Sequence, residues 1–200
     1  MKKLTTLIAL LFISINITGQ KLKVEEGDIK NLKDIKVYTM QFDYTDVQIP
    51  KFDNEEDFLK DKMDKREEKK AGDGERFKKS WFDDRPDRYH PKFIESFNKR
   101  FEDSAVQVQE GEADYTMKVH TTKLYPGYNV GIVRHNAEID ATITIFETGN
   151  ESNVVFKGSY KDAQGAGAFG NDYNSGYRIS ECYAKLAKTF AKDIKKRALK

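Results

Sequence analysis

The chain has 200 residues, of which 34% are charged and 12% aromatic, and its formal net charge is +2. That length suits one domain able to bury roughly 70% of its unfolded surface, and so rich an aromatic content excludes a disordered chain. Residues 1–19 hold Lys2 and Lys3 and no acid; without them 33 basic residues face 33 acidic ones, a balance that gives no general affinity for nucleic acid or for an anionic membrane.

Lys2-Lys3 followed by the apolar run Leu4 to Ile17 has the layout of a secretory leader, with small residues near Thr18-Gly19-Gln20 for a cut after residue 19. The alternative is a retained anchor, but the run is shorter than the ~20 residues that a spanning helix needs. No cysteine lies near the cut, so lipoprotein anchoring lacks its attachment point. The expectation is an exported protein, periplasmic or secreted. Cys182 is the single cysteine, so no intramolecular disulfide can form, and its place in a helical pattern predicts a small buried apolar group.

Residues 20–34 are polar and read as a loose lead-in, with one α+β domain expected over 35–200. Ile35 to Tyr44 is dense in residues that suit a pleated surface and predicts the first strand. Asn54 then offers an N-cap, with Glu55, Glu56 and Asp57 favouring the positive end of a helix dipole. A charged helical excursion follows over 54–90, either a protruding docking arm or, as its i,i+4 charge pairs favour, a solvated segment. Phe77, Trp81, Phe82 and Tyr89 lie in its second half. Pro91 opens a helix whose Phe93, Ile94, Phe97 and Phe101 form one apolar stripe. Val106 and Val108 are expected to start a strand running on through Gly111 into Tyr115–Leu124.

The clearest pattern spans Ala113 to Tyr160. Tyr115, Met117, Val119 and Thr121 alternate with polar residues, as do Ala137, Ile139, Ala141, Ile143 and Ile145, and then Val154, Phe156, Gly158 and Tyr160. Period two with β-branched enrichment predicts an antiparallel sheet buried on one face. In the final helix Ile179, Tyr183, Leu186, Phe190 and Ile194 share a face that fits the role of a roof, while its lysines also allow a lipid-docking reading. The expected fold is a two-layer α+β unit with a mostly antiparallel or mixed sheet of four to five strands, covered on one face by helices. The crossover rule makes the first strand parallel to a later one across the excursion.

Catalytic signals are weak. Gly165-Ala166-Gly167-Ala168-Phe169-Gly170 is a formal G-x-G-x-x-G, but the chain ends after the next helix, so no βαβ unit for a dinucleotide can be completed. His90, His120 and His135 lack metal-like spacing, adjacent carboxylates such as Asp83-Asp84 point apart on a helix, and no nucleophile elbow occurs. No catalytic residue, cofactor or metal is assigned. The long connection from Tyr125 through Tyr128 to Arg134 and His135 suits recognition, because loops on a rigid sheet often carry binding, although its tyrosines can also fold back over the sheet edge. Trp81 and Tyr89 mark a second candidate binding region.

Ala113-Asp114-Tyr115-Thr116-Met117-Lys118-Val119 and Tyr177-Arg178-Ile179-Ser180, running on to Lys192, resemble an uncharacterised exported family of Bacteroidota-type bacteria. The order of elements over 35–198 also resembles the envelope modules of the TolB N-terminal domain and curli-secretion proteins. The resemblance implies protein–protein work at the cell envelope and transfers no functional residue. The expected function is non-enzymatic binding of a protein or envelope ligand; the alternative is a hydrolase or small-ligand binder with a cleft beside the sheet. Partners would be envelope proteins, with no nucleic acid and at most peripheral membrane contact.

Overall fold

Period-two alternation in the middle of the chain does build one broad sheet. In the computed structural model, which describes residues 20–101, 106–130, 133–165 and 175–200, its strands are β1 (Leu22–Gly27), β2 (Val37–Asp43), β3 (Gln107–Gln109), β4 (Tyr115–Tyr125), β7 (Glu138–Glu147) and β8 (Asn150–Gln164). Between β4 and β7 stands a separate small hairpin, β5 (Tyr128–Val130) with β6 (Val133–His135). Helices α1 (Glu55–Glu67), α2 (Asp73–Asp84) and α3 (His90–Asn98) lie between β2 and β3, and α4 (Ser175–Arg197) follows the sheet.

The strand order is β1-β8-β7-β4-β2-β3. β4, β7, β8 and β1 pair antiparallel in turn, whereas β2 is parallel to both β4 and β3, so the sheet is mixed. The α+β class, the helical cover and the parallel crossover agree with the sequence pattern. Three details differ. The described sheet has six strands, not four to five, because 22–27 is an edge strand on β8 and not a loose lead-in. Its charged alternation, exposed at Lys23, Glu25 and Glu26, suits an edge where side chains meet water on both faces. Val106 to Leu124 is not one strand, since β3 and β4 flank β2 on opposite sides. The excursion is not a solvated arm either, because Phe58, Leu59, Trp81 and Tyr89 are buried in the core.

One face of the sheet is apolar and is roofed by α3 and α4. Met117, Val119, Ile139, Ile143, Ile145, Phe156 and Tyr160 meet the fully buried Ile179, Tyr183, Leu186, Phe190 and Ile194 of α4. Phe190 alone touches the rings of Phe97, Phe156 and Tyr160 at 5.8–6.2 Å, and its burial contributes on the order of 2–3 kcal/mol. Since Ile179, Leu186 and Phe190 are all enclosed, α4 has no apolar stripe to offer a lipid surface. No helix among the described residues is long and apolar enough to cross a membrane. Cys182 lies in this layer, where burial pushes its thiol up to about 12 and leaves it a packing group.

The excursion is joined to the sheet by a chain of polar contacts. Asn54 caps α1 by accepting from the Asp57 amide at 2.8 Å, which places Glu55 in the first turn. Glu55 Oε1 accepts from Trp81 Nε1 at 2.7 Å and from Arg85, and the Glu55 and Arg85 side chains are both only 15% exposed. Arg85 stacks on the Tyr44 ring at 4.2 Å; the Tyr44 hydroxyl in turn meets His90 Nε2 at 3.1 Å, and His90 lies flat on Phe42 with ring centres 3.9 Å apart. Between Arg85 and His90 the helix widens into one π turn, Arg85–Tyr89, with the His90 amide donating to the Arg85 carbonyl. Pro86 and Pro91 lack amide hydrogens for the usual ladder, which accounts for the widening. Burial, with the Arg85 charge adding to it, depresses the His90 imidazole to about 4.

Two outcomes follow from this chain of contacts. Glu55→Ala strands a buried guanidinium and the indole N–H, and should cost about 2–3 kcal/mol in urea unfolding while moving the Trp81 emission. His90 is neutral when folded and titrates near its ordinary 6.5 when unfolded, so the unfolded chain takes up the proton first as pH falls. Stability from this group is therefore complete above about pH 6.5 and is lost as pH drops toward 4. Allowing for its partial exposure, His90→Phe should reduce the loss of unfolding free energy between pH 7 and pH 5 by about 1 kcal/mol. An unchanged loss in that variant would contradict a neutral, enclosed imidazole.

Candidate functional site

A cleft of about 190 Å³ opens beside the sheet, where the excursion faces the connection between β4 and β7. On one side α1 contributes Phe58, Lys62 and Arg66, spaced four apart and so on one helix face, and α2 contributes Phe77 and Trp81 by the same spacing. Ile49 to Phe52 close one end. Opposite them Tyr125, Pro126, Gly127 and Tyr128 form the second wall, and Ser175 and Arg178 complete the site from the start of α4.

The first wall is a packed aromatic cluster. Phe58 lies 4.7 Å from Trp81, 5.3 Å from Phe52 and 6.2 Å from Phe77 between ring centres. Lys62 stands over both Phe52 and Phe58 at 5.7–5.9 Å, and Arg66 stacks on Phe77 at 4.2 Å. This wall exists because Gly72, at φ 79°, lets the chain reverse between α1 and α2. Glu67 then fixes the reversal by accepting from the amides of Gly72 at 2.8 Å and Gly74 at 3.1 Å.

The second wall turns on Gly127. Its φ is 65°, and a Cβ there would lie 2.5 Å from the His135 carbonyl and 2.6 Å from the Ala137 amide, so only glycine allows the hairpin to leave the sheet at this angle. Arg178, itself buried, donates from Nε to the Pro126 carbonyl at 3.2 Å and ties this wall to α4. Partial burial raises the Tyr125 hydroxyl above its ordinary value, with Tyr128 and Glu138 adding to the effect, so it stays protonated and able to donate.

Of the sequence candidates, Tyr125, Tyr128 and Trp81 converge on this one cleft, although they are far apart in the chain. Trp81 serves as a wall at 3% exposure, not as a free patch. Tyr89 does not belong to the site: at 1% exposure it stacks on Tyr183 at 5.2 Å inside the core, because the π turn points it inward. His135 is exposed and packs on Tyr128 at 4.7 Å, outside the cleft lining. Arg134 pairs through its backbone with Asn129 in the hairpin, and its side chain lies outside what is described. The leader at 1–19 and positions 166–170 of the glycine-rich motif lie outside the described residues too.

The cleft lining carries four cationic side chains, Lys51, Lys62, Arg66 and Arg178, and among the described residues it has no carboxylate, histidine or thiol. A second cavity of about 210 Å³ shares Arg66, Phe77, Trp81 and Ser175 with it and continues toward Asp73, Arg76 and Asp84. Asp84 lies against Gly176 at the first turn of α4, where its carboxylate occupies the anion-favouring end of that helix.

Elsewhere, Glu138, Asp140 and Asp162 bring carboxylate oxygens within 4.8 Å of one another. Lys123 already fills their centre, with Nζ at 2.6, 3.2 and 3.1 Å from the three. Partial burial opposes the charge on Lys123, but bonds to these carboxylates outweigh it and raise the ammonium pKa, so an internal cation stands where a metal would.

No protein-family model matches the chain, and no curated protein matches it. Among solved structures, a point-variant PelC dodecamer from Paraburkholderia phytofirmans is similar over 84% of this chain and 96% of that one, at 11% identity. The TM-score of 0.35 is too low for the likeness to carry an argument.

Proposed function

We propose that the protein is a non-enzymatic exported module that binds a protein partner at the cell envelope, through the cleft between Trp81 and the Tyr125–Tyr128 wall. The observation that carries this reading is the convergence of an aromatic cluster, two tyrosines and four cations on one concavity with no described carboxylate in its lining. Aromatic walls bury large area at low entropic cost, and tyrosine adds a hydroxyl donor. Lys51, together with Lys62, with which it shares the cleft and which also pairs with Asp61 at 3.5 Å, favours an occupant with acidic groups beside its apolar ones. An extended peptide segment bearing Phe or Tyr next to Asp or Glu fits that description. Export and envelope association rest on the leader pattern and the family resemblance.

A second reading, a binder of small aromatic acids in the same cleft, is favoured by the modest volume of about 190 Å³.

Trp81 is the only tryptophan of the chain and lines the cleft, so its emission reports occupancy. Titration with short peptides combining Phe or Tyr with Asp should change that emission saturably. Tyr128→Ala should weaken the response at least tenfold, about 1.4 kcal/mol, with little change in urea midpoint. Saturation by phenylacetate alone, at equal affinity, would favour the small-ligand reading. An emission indifferent to all such ligands would overturn both.

A further inference from the structure

The balanced charge of the chain hides a strongly one-signed region on the far side of the roof. The outer face of α4 carries Lys185, Lys188, Lys192 and Lys196, each about one helical turn, roughly 5.4 Å, from the next, with Lys195 beside Lys196, and all are exposed. Facing them across a concavity of about 780 Å³ are Lys99 and Arg100, on the turn after α3, and Lys200 lies at one end. The other lining residues are Gln20 and Thr189, both uncharged.

None of these eight cations makes a salt bridge among the described residues. The excursion behaves oppositely: Lys60 pairs with Asp64, Lys65 with Asp61, Lys79 with Asp83 and Arg88 with Asp84, each at i,i+4. Where opposite charges at this spacing stabilise a helix by about 0.2–0.5 kcal/mol, like charges such as Lys188/Lys192 and Lys192/Lys196 cost about as much. Their spacing is also shorter than the ~8 Å screening length at physiological salt, so their potentials add along the groove.

We infer that this groove binds a linear acidic polysaccharide, carboxylated or sulfated, independently of the tyrosine cleft. A row of lysines along α4 with Lys99 and Arg100 lining the same concavity suits a chain lying along it, whereas a membrane is flat and would be held better by the apolar stripe Ile179, Leu186 and Phe190, which is enclosed. Single-stranded nucleic acid uses rings for base stacking, but no described ring lines the groove, and Phe101, under Lys195, is buried. Seven of the eight cations are lysines, mobile point charges that follow an irregular polyanion, in contrast to the fixed fork that arginine offers a phosphate.

The test measures fluorescence anisotropy of labelled polygalacturonate and labelled heparin with the protein purified from its host. Saturable binding to at least one glycan is expected, weakening at least tenfold between 50 and 200 mM salt. The triple variant Lys185→Gln, Lys188→Gln, Lys192→Gln should lose at least tenfold in affinity. The charge-matched variant Lys60→Gln, Lys65→Gln, Lys79→Gln should bind as the unaltered protein does. Equal losses in the two variants would reduce the effect to net charge and overturn the site. Absence of saturable binding to both glycans would overturn it as well, as would tighter binding to phosphatidylglycerol vesicles or to single-stranded DNA.

Discussion

The seating of α4 on the sheet is the constraint on which the rest of this structure depends. Ile179, Tyr183, Leu186, Phe190 and Ile194 cover the inner residues of β4, β7 and β8, and α3 completes the roof with Phe97 against Phe190. Once that layer closes, everything that distinguishes the protein must lie at its margins. The tyrosine cleft sits where the first turns of α4 meet the excursion and the β5–β6 hairpin. The lysine groove lies along the helix's outer face. One helix thus sets both surfaces, and its buried Arg178 and exposed lysines divide their roles by depth.

Much of this fold is legible in the residues, and what is not has identifiable causes. Alternation marks β4, β7 and β8 because each has one wet and one dry face. It fails at β1, whose Lys23, Glu25 and Glu26 occupy an edge with no apolar demand. The excursion misleads for a different reason. Its abundant Lys, Asp and Glu dominate any average, while the few residues that matter, Phe58, Leu59 and Trp81, are buried and held through Glu55. Few contacts suffice when they include a buried ion pair and an aromatic cluster.

The cleft itself is half visible in the residues. Tyr125 and Tyr128 follow from a long connection rich in Pro and Gly, and Trp81 from its rarity. Their meeting does not follow, because it depends on the reversal at Gly72 and on β2 running parallel to β4. A spacing signal is nonetheless present, since Phe58, Lys62 and Arg66, and then Phe77 and Trp81, recur every four residues. Tyr89 shows the opposite error: a single π turn, caused by two prolines, carries it from an expected surface into the core. Net charge also conceals structure, since cations pair within α1 and α2 while the outer lysines Lys185, Lys188, Lys192, Lys195 and Lys196 of α4 make no salt bridge among the described residues.

The most direct test of the central claim places a photocrosslinking phenylalanine at position 128, with a control at Lys157 on the open face of the sheet, in the protein produced by its own host. A discrete crosslinked partner is expected from position 128, absent from position 157 and suppressed when Lys62 is replaced by Glu. Crosslinks from position 157 with none from 128 would move the binding surface to the open sheet face and contradict the assignment of the cleft.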